Sequence, residues 1–159
     1  MEFIPRKKIG PYEIVAHLDT GGMADVYLAA DKQPGKYLVI KVLREHLKGE
    51  DEVVRMFMAE GRIMSALKHP NVVEVTDFGD EGGCPYIAME YLVGEHLGIL
   101  VRVARRNKRP LAPEIVAEIG RQAAGGLAYV HAARDRQGRP LKLIHRDISP
   151  QNIFLCADG

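Results

Sequence analysis

Asp147 and Asn152 lie five residues apart in a short polar segment near the end of the chain. An apolar run, Leu143–Ile144, leads into this segment, and a second apolar run, Ile153–Leu155, leaves it, so the segment is predicted to be a polar loop. A carboxylate can accept a proton from a hydroxyl group within hydrogen-bonding reach, and an amide oxygen is a hard donor that suits Mg²⁺. The residue types of this segment could therefore serve proton transfer and metal binding.

A second candidate pair combines a lysine in a predicted strand with a glutamate in a predicted helix. Alternation along the strand places Val39 and Lys41 on one inward face, and a lysine is rarely buried without a partner. Glu60 lies in the middle of the apolar face of the helix, between Phe57 and Met64. Two inward charges of opposite sign predict an ion pair, and removing one partner of a buried pair costs roughly 3–5 kcal/mol. A purely structural salt bridge is the alternative.

A glycine-bearing segment, Leu18–Tyr27, joins two predicted strands. The backbone N–H groups of such a hairpin can approach phosphate oxygens closely, because Gly21 and Gly22 carry no side chain. Asp19, in contrast, adds a negative charge where a phosphate would lie. A plain hairpin turn explains the segment about as well, so the glycines alone indicate nucleotide binding only weakly.

The elements that position these residues follow from the period of the apolar pattern. Strands are predicted at Tyr12–Leu18, Val26–Ala30, Tyr37–Leu43, Val72–Thr76 and Tyr86–Tyr91. Helices are predicted over 51–67, over 95–105 and from near Pro113 to about Ala132. The change from strands to helices near residues 90–94 predicts two lobes, 1–92 and 93–159.

These segments resemble the eukaryotic-type (Hanks-type) serine/threonine protein kinases of bacteria. The resemblance is carried by His145-Arg146-Asp147 with Asn152, which follow the catalytic-loop pattern His-Arg-Asp-x-x-x-x-Asn, and by the Lys–Glu pair. It implies an α+β, protein-kinase-like fold: a five-stranded antiparallel N-lobe with one helix, then the first helices and catalytic loop of a helical C-lobe. On this interpretation the chain ends before the second magnesium-binding aspartate, so we expect the isolated chain to be inactive.

The resemblance also implies a role for each candidate residue. Lys41 would hold the α- and β-phosphates of ATP, with Glu60 orienting it. Asp147 would accept the hydroxyl proton of a protein serine or threonine, Asn152 would bind Mg²⁺, and His145 would pack in the core. The phosphate hairpin and the adenine pocket would be formed by Leu18, Gly21, Gly22, Val26, Val39, Met89 and backbone groups of Glu90 and Leu92.

Some residues depart from the kinase pattern. In Gly-x-Gly-x-x-Gly-x-Val the chain keeps Gly21 and Val26, whereas Asp19 and Ala24 stand at the outer glycine positions. Ser149 stands where a lysine usually contacts the γ-phosphate. These departures favour reduced nucleotide affinity and leave open a non-catalytic, kinase-like module that binds nucleotide or a partner. A small-molecule phosphotransferase shares the Asp-x-x-x-x-Asn spacing and is a third hypothesis.

Asp77-Phe78-Gly79 spells the kinase magnesium motif at the wrong place in the chain. It precedes the catalytic loop by about seventy residues, whereas in the family it follows that loop. We therefore predict that Asp77 is a turn residue between two strands.

The composition narrows the classes of function. The chain has 159 residues, 47% of them hydrophobic, and a net charge of +1, which argues against nucleic acid as the main partner. No apolar run approaches the roughly 18–20 residues of a membrane span, and the two cysteines have no paired spacing. The six histidines lack metal-ligand spacing. We expect a cytoplasmic protein with no nucleic-acid partner and no membrane segment, and the resemblance implies ATP, Mg²⁺ and a protein substrate as its partners.

Overall fold

The computed structural model describes residues 2–3, 8–31, 33–135 and 137–157. These residues form two compact units. One comprises the described residues up to Lys68 together with Val73–Tyr91, and the other comprises His69–Val72 with the described residues from Leu92 onward. The predicted lobe limits, 1–92 and 93–159, include residues outside the described ranges and stay a prediction.

The sheet-containing unit is made of seven strands, a 3₁₀ turn and one α-helix within the described residues. In chain order they are β1 (Glu2–Phe3), β2 (Lys8–Ile9), β3 (Tyr12–Thr20), β4 (Ala24–Ala30), β5 (Tyr37–Leu43), the 3₁₀ turn Glu45–Leu47, α1 (Asp51–Met64), β6 (Val75–Asp80) and β7 (Pro85–Glu90). The other unit contains β8 (Gly94–His96), α2 (Leu97–Arg106), α3 (Pro113–Ala132) and β9 (Phe154–Cys156).

All strand pairs of the seven-stranded sheet are antiparallel, in the order β1-β3-β4-β5-β7-β6, with β2 also paired to β3. Among the five long strands, β5 has the predicted bounds, and β3, β4 and β7 match predicted strands with shifted ends. The strand predicted at Val72–Thr76 was misplaced, because β6 shares only Val75 and Thr76 with it. The short strands β1 and β2 were not predicted, because two residues are too few to show a period of two.

The sheet has an apolar layer on each face. One layer includes Ile40, Val42 and Tyr86, and the other joins Leu43 and Ile87 to the helix through side chains such as that of Phe57. Phe57 is 1% exposed and Ile40 is fully buried. Burying a side chain of this size contributes roughly 1.5–3 kcal/mol, so both layers stabilise the sheet, and the second layer holds α1 against it.

The prediction for Asp77-Phe78-Gly79 was wrong in its local structure. These residues lie inside β6, and Asp77 pairs with Ala88 across the sheet. The turn comes later, where Gly82 and Gly83 have φ of 61° and 78°, values that glycine adopts without a Cβ clash. Asp77 and Gly79 are residue types common in turns, but here they are paired with β7 across the sheet, and the Asp77 side chain has a hydroxyl partner.

That partner is Tyr12, whose hydroxyl donates to Asp77 Oδ2 at 2.9 Å, and Tyr86 donates to the same oxygen at 3.4 Å. Burial and the neighbouring Asp77 carboxylate raise the pKa of Tyr12 above its ordinary value, and burial also raises the pKa of Tyr86. A raised pKa means that the native state retains the proton better than the unfolded chain, so this contribution to stability is present below pH of about 10 and lost above it.

We expect Tyr12→Phe to lower the free energy of unfolding at pH 7 by about 1.5 kcal/mol, because a hydrogen bond to a charged acceptor is lost. Urea unfolding of both proteins between pH 7 and 11 would measure this. The difference in free energy of unfolding between wild type and the variant should become smaller above pH of about 10, where the wild type loses the stability that the raised pKa provides. A gap that widens with pH would show that the hydroxyl has another role.

The predicted helices are present with modest differences at their ends. α1 ends at Met64, before the predicted residue 67, and α2 begins at Leu97 because Gly94–His96 form a strand. α3 has the predicted bounds, Pro113–Ala132, with proline in its first turn. Among the residues described, none of the helices has the length and apolar character that a bilayer-spanning segment requires.

In the helical unit, the segment His69–Val72 is attached to α3. Asn71 Nδ2 donates to Gln122 Oε1 at 2.9 Å, and the rings of His69 and Tyr129 stack with their centroids 5.0 Å apart. Gly126 is the buried residue of α3, and a Cβ placed there would lie 2.8 Å from Asn71 O. The absence of a side chain at Gly126 therefore lets this segment lie directly against the helix.

Candidate functional site

Lys41 and Glu60 form an ion pair between β5 and α1. Lys41 Nζ lies 2.8 Å from Glu60 Oε1, and it also lies 5.7 Å from the centroid of the Phe57 ring. The helix approaches the sheet closely at Gly61, where a Cβ would lie 3.0 Å from Phe78 Cβ. This close approach brings Glu60, the residue before Gly61, within reach of Lys41.

The pair is less buried than the sequence suggested. The side chain of Lys41 is 29% exposed and that of Glu60 is 49% exposed. The buried line of α1 is centred on Phe57 and Gly61, so Glu60 lies at its edge and not in its middle. A pair this exposed is screened by water and contributes about 0–1 kcal/mol, so the larger cost expected for a buried pair does not apply.

Three of the predicted adenine-pocket residues share a face of the sheet with Lys41. Val26 lies directly opposite Lys41 across β4 and β5, and Val39 lies opposite Met89 across β5 and β7. Directly opposed residues project to the same face, and Val39 and Lys41 are two positions apart. The register therefore places two apolar side chains of β4 and β5 and the Met89 side chain on the face that carries the lysine.

The glycine-bearing segment forms the β3–β4 hairpin. Gly21 N–H donates to Ala24 O at 2.9 Å, which closes the turn, while Gly22 has open space around the position of a Cβ. Asp19 Oδ1 accepts the N–H of Thr20 at 2.8 Å, so its charge is turned partly toward its own backbone. Leu18, predicted to line the adenine pocket, is 38% exposed in β3.

The backbone at Glu90 is partly occupied within the sheet unit. Its N–H donates to Glu74 O at 3.0 Å, and its carboxylate accepts the N–H of Glu74 at 2.7 Å. A backbone contact from Glu90 to a ligand would therefore use its carbonyl group. Leu92 follows β7 and belongs by contacts to the helical unit.

Asp147 and Asn152 are joined directly within the helical unit. Asn152 Nδ2 donates to Asp147 Oδ2 at 2.8 Å and to the backbone oxygen of Asp147 at 3.1 Å. Arg146 has φ of 65°, and both Asp147 and Asn152 are exposed. Because the amide nitrogen makes both bonds, Asn152 Oδ1 is the atom that can face a cation.

His145 is not a core residue, contrary to what the resemblance implied. It is exposed, and its Nδ1 accepts the N–H of Asp147 at 3.4 Å. The histidine thus contacts the backbone of the loop from its start. The polar residues from Arg146 onward do not indicate whether His145, which precedes them, is buried or exposed.

The structure shows what holds this loop, which the sequence reasoning missed. β9 follows the loop and pairs with β8 in an antiparallel ladder. In addition, the first N–H groups of α2, at Leu97 and Gly98, donate to Ile153 O at 2.8 Å and Pro150 O at 2.9 Å. These are donors that a helix leaves without intrahelical partners, so the loop completes the start of α2.

Gly94 makes the β8–β9 pairing possible, because a Cβ there would collide with the backbone oxygen of Leu155. We expect Gly94→Ala to separate the two strands and to lower the free energy of unfolding by about 3 kcal/mol, as an overpacked site does. Urea unfolding would measure it. Gly120→Ala, in the open interior of α3, is the matched control and should stabilise by about 0.5–1 kcal/mol. Equal effects at both sites would contradict the assigned contact.

Comparison with known proteins places this geometry in a family. The family model described as protein kinase domain matches residues 12–159. The chain belongs to the protein kinase family. The predicted kinase fold is confirmed by the crystal structure of the Mycobacterium tuberculosis PknI kinase domain, which matches with a TM-score of 0.74 at 31% identity, over 99% of this chain and 60% of that one.

Curated relatives agree with a bacterial kinase of the eukaryotic type. Tyrosine-protein kinase MasK of Myxococcus xanthus (strain DK1622) is 39% identical over 154 residues, 94% of this chain and 24% of the relative. Serine/threonine-protein kinase PrkC of Bacillus subtilis (strain 168) is 34% identical over 152 residues, 96% of this chain and 22% of the relative. This kinase chain thus spans about a quarter of the length of these relatives.

Proposed function

We propose that this chain carries the nucleotide-binding and catalytic-loop residues of an ATP-dependent serine/threonine protein kinase. The observation that supports this most is the ion pair between Lys41 Nζ and Glu60 Oε1 at 2.8 Å. An ion pair that remains 29% and 49% exposed stabilises the fold little. Its value is in presenting a fixed positive charge, which is what a phosphate group requires.

The proposed mechanism assigns the charges of both units to phosphoryl transfer. Lys41 neutralises the α- and β-phosphates, and Glu60 restricts the orientation of the Lys41 ammonium group. Asp147 accepts the hydroxyl proton of the acceptor residue. Its carboxylate is itself oriented by the hydrogen bond from Asn152, which limits the positions that the accepting oxygen can take.

Magnesium fits the donors that the loop offers. Mg²⁺ prefers oxygen ligands and is usually bound through one or two protein groups plus substrate phosphates, and when bound it neutralises charge on the transferred group. Asn152 Oδ1 would be such a protein ligand, because the nitrogen of the same amide is already bound to Asp147.

The adenine base would contact the apolar side chains of Val26, Val39 and Met89, which share a face of the sheet. Leu18 would add to this surface, and the Glu90 carbonyl and the backbone of Leu92 would bind the edge of the base. Gly22, at the hairpin turn, would place its backbone N–H near the phosphates. Gly21, whose N–H closes the turn to Ala24 O, would let the phosphates approach the backbone because it carries no side chain. Within the described residues Cys84 and Cys156 form no disulfide, which fits a cytoplasmic location, where ATP is available.

Preference for serine and threonine rests on the loop sequence Ser149-Pro150-Gln151-Asn152. One relative at 39% identity is named a tyrosine kinase, so the acceptor needs a direct test. We expect the full-length gene product, incubated with Mg²⁺ and γ-labelled ATP, to give phosphoserine and phosphothreonine on acid hydrolysis. Phosphotyrosine alone would contradict the proposed specificity.

A non-catalytic module that binds nucleotide is the second candidate, favoured by the carboxylate of Asp19 in the glycine hairpin and by Ser149 in the catalytic loop. Under this hypothesis the full-length gene product would bind MgATP and transfer no phosphate to any protein. Asp19→Gly separates the two. In a kinase it should strengthen MgATP binding and raise the transfer rate together, whereas in a module without catalysis only binding should change.

A further inference from the structure

The end of α2 carries a concentration of positive charge that the proposed chemistry does not use. We call this surface the basic patch, and it consists of five exposed side chains: Arg102, Arg105, Arg106, Lys108 and Arg109. The sequence contains no Asp or Glu from Leu97 to Pro113. In the described part of the chain, none of the five makes an ion pair within 4.0 Å.

The arrangement on the helix brings these charges together. Arg102 lies three positions before Arg105 and four before Arg106, so the side chain of Arg102 is a neighbour of both on one face of the helix. Like charges at this spacing repel each other and destabilise a helix. Attraction to the negative end of the helix dipole favours the cations at and just beyond the last turn, but it does not explain Arg102, which lies one turn earlier.

Backbone hydrogen bonds after the end of α2 hold the main chain at the last two basic residues, Lys108 and Arg109. Lys108 N–H donates to Arg105 O at 3.1 Å and Arg109 N–H donates to Ala104 O at 2.9 Å, the pair of bonds that closes a helix with a left-handed residue. Lys108 has φ of 54°, a conformation in which glycine is usual. The backbone at Lys108 and Arg109 is therefore fixed relative to the helix before any partner binds, so only their side chains lose freedom on binding.

The chemistry of the patch indicates the kind of partner. Four of the five cations are arginines, whose planar guanidinium groups bind carboxylates through two parallel hydrogen bonds. A lipid surface would also need exposed apolar side chains beside the charges. In α2 the only exposed apolar side chain beside the charges is that of Val103, which is too little surface to enter a lipid layer. The other apolar side chains of α2 are half-buried: Leu97, Ile99, Leu100, Val101 and Ala104.

We propose that the basic patch docks a run of acidic side chains in the protein substrate, an inference that rests on the proposed kinase function. α2 links the patch to the catalytic loop, because the N–H groups of Leu97 and Gly98 bind carbonyl groups of that loop. A ten-residue helix is about 15 Å long, a distance that about five residues of extended chain can span. The acidic run should therefore lie about five residues from the phosphorylated hydroxyl.

The binding test needs no nucleotide. A fluorescein-labelled peptide of six glutamates is titrated with the purified chain, and anisotropy gives its affinity. The triple variant Arg102→Gln, Arg105→Gln, Arg106→Gln should bind at least tenfold more weakly than wild type. A control variant also loses three positive charges, but outside the basic patch: Lys36→Gln, Arg55→Gln and Arg62→Gln. It should change the affinity for the peptide less than threefold. Equal loss in both variants, or wild-type binding to phosphatidylserine vesicles as tight as to the peptide, would overturn the proposal.

A second test connects the patch to substrate choice. The full-length gene product is given two acceptor peptides that differ only in a run of four Glu or four Gln five residues from the serine. We expect a KM about tenfold lower for the Glu peptide, with equal kcat, and no difference in the triple variant. Phosphorylation of both peptides with equal KM would overturn the docking proposal alone. Tight hexaglutamate binding without any phosphorylation would instead overturn the proposed kinase function and the assignment of the patch to substrate.

Discussion

Asp147→Asn in the full-length gene product is expected to lower the rate of phosphoryl transfer by about 10³. A positioned general base typically contributes 10²–10⁴, and an asparagine amide cannot accept the hydroxyl proton. The amide oxygen at position 147 can still accept the hydrogen bond that Asn152 Nδ2 makes to Asp147 Oδ2. The loop should therefore keep its shape, and the measured quantity, initial rate with saturating MgATP, should report chemistry alone.

The control for this substitution removes a carboxylate from the same unit at a position outside the loop. Glu114, in the first turn of α3, is exposed, and Glu114→Gln should leave the rate within a factor of two. The assignment of Asp147 as the proton acceptor is wrong if its asparagine variant keeps more than half of the wild-type rate.

Lys41→Met is expected to lower kcat/KM for MgATP by about 10²–10³, the loss typical of one preorganised electrostatic group. The same substitution should change the free energy of unfolding by less than about 1 kcal/mol, because the ion pair with Glu60 is substantially exposed. Rate assays and urea unfolding on the same preparations measure the two quantities. A large loss of activity with little loss of stability is the combination that a structural salt bridge would not produce.

Lys36 provides the matched control for Lys41, since it is an exposed lysine immediately before the same strand. Lys36→Met should leave both activity and stability close to wild type. The role proposed for Lys41 would be contradicted by a variant that unfolds with a loss of several kcal/mol while its folded fraction retains full activity.

The sequence predicted the long strands and helices because their apolar periods are strong. β5 and α3 have the predicted bounds, Tyr37–Leu43 and Pro113–Ala132, since alternation in the first and a proline start in the second leave little ambiguity. β6 was misplaced because Asp77 and Gly79 are turn residues by type. In the structure both residues pair with β7, and Asp77 accepts a hydrogen bond from Tyr12, 65 positions away. No local sequence pattern contains these contacts.

The candidate site was predictable in residue types and less so in burial. The ion pair of Lys41 with Glu60 followed from two charges on inward faces, but their exposure depends on where Gly61 lets α1 meet the sheet. The support of the catalytic loop was not predictable. It consists of backbone bonds from Leu97 and Gly98, and backbone groups are the same for every residue type. The only local indication in the sequence was Gly94, before α2, whose missing side chain lets the backbone of Leu155 lie close to it.

The most direct test of the central claim compares MgATP with adenosine as ligands of the purified chain and its Lys41→Met variant, by calorimetry. If the ammonium group of Lys41 binds phosphates, the variant should bind MgATP at least tenfold more weakly and adenosine within twofold of wild type. Equal weakening for both ligands, or undiminished affinity for MgATP, would contradict the claim that the pair of Lys41 and Glu60 presents a charge to nucleotide phosphates.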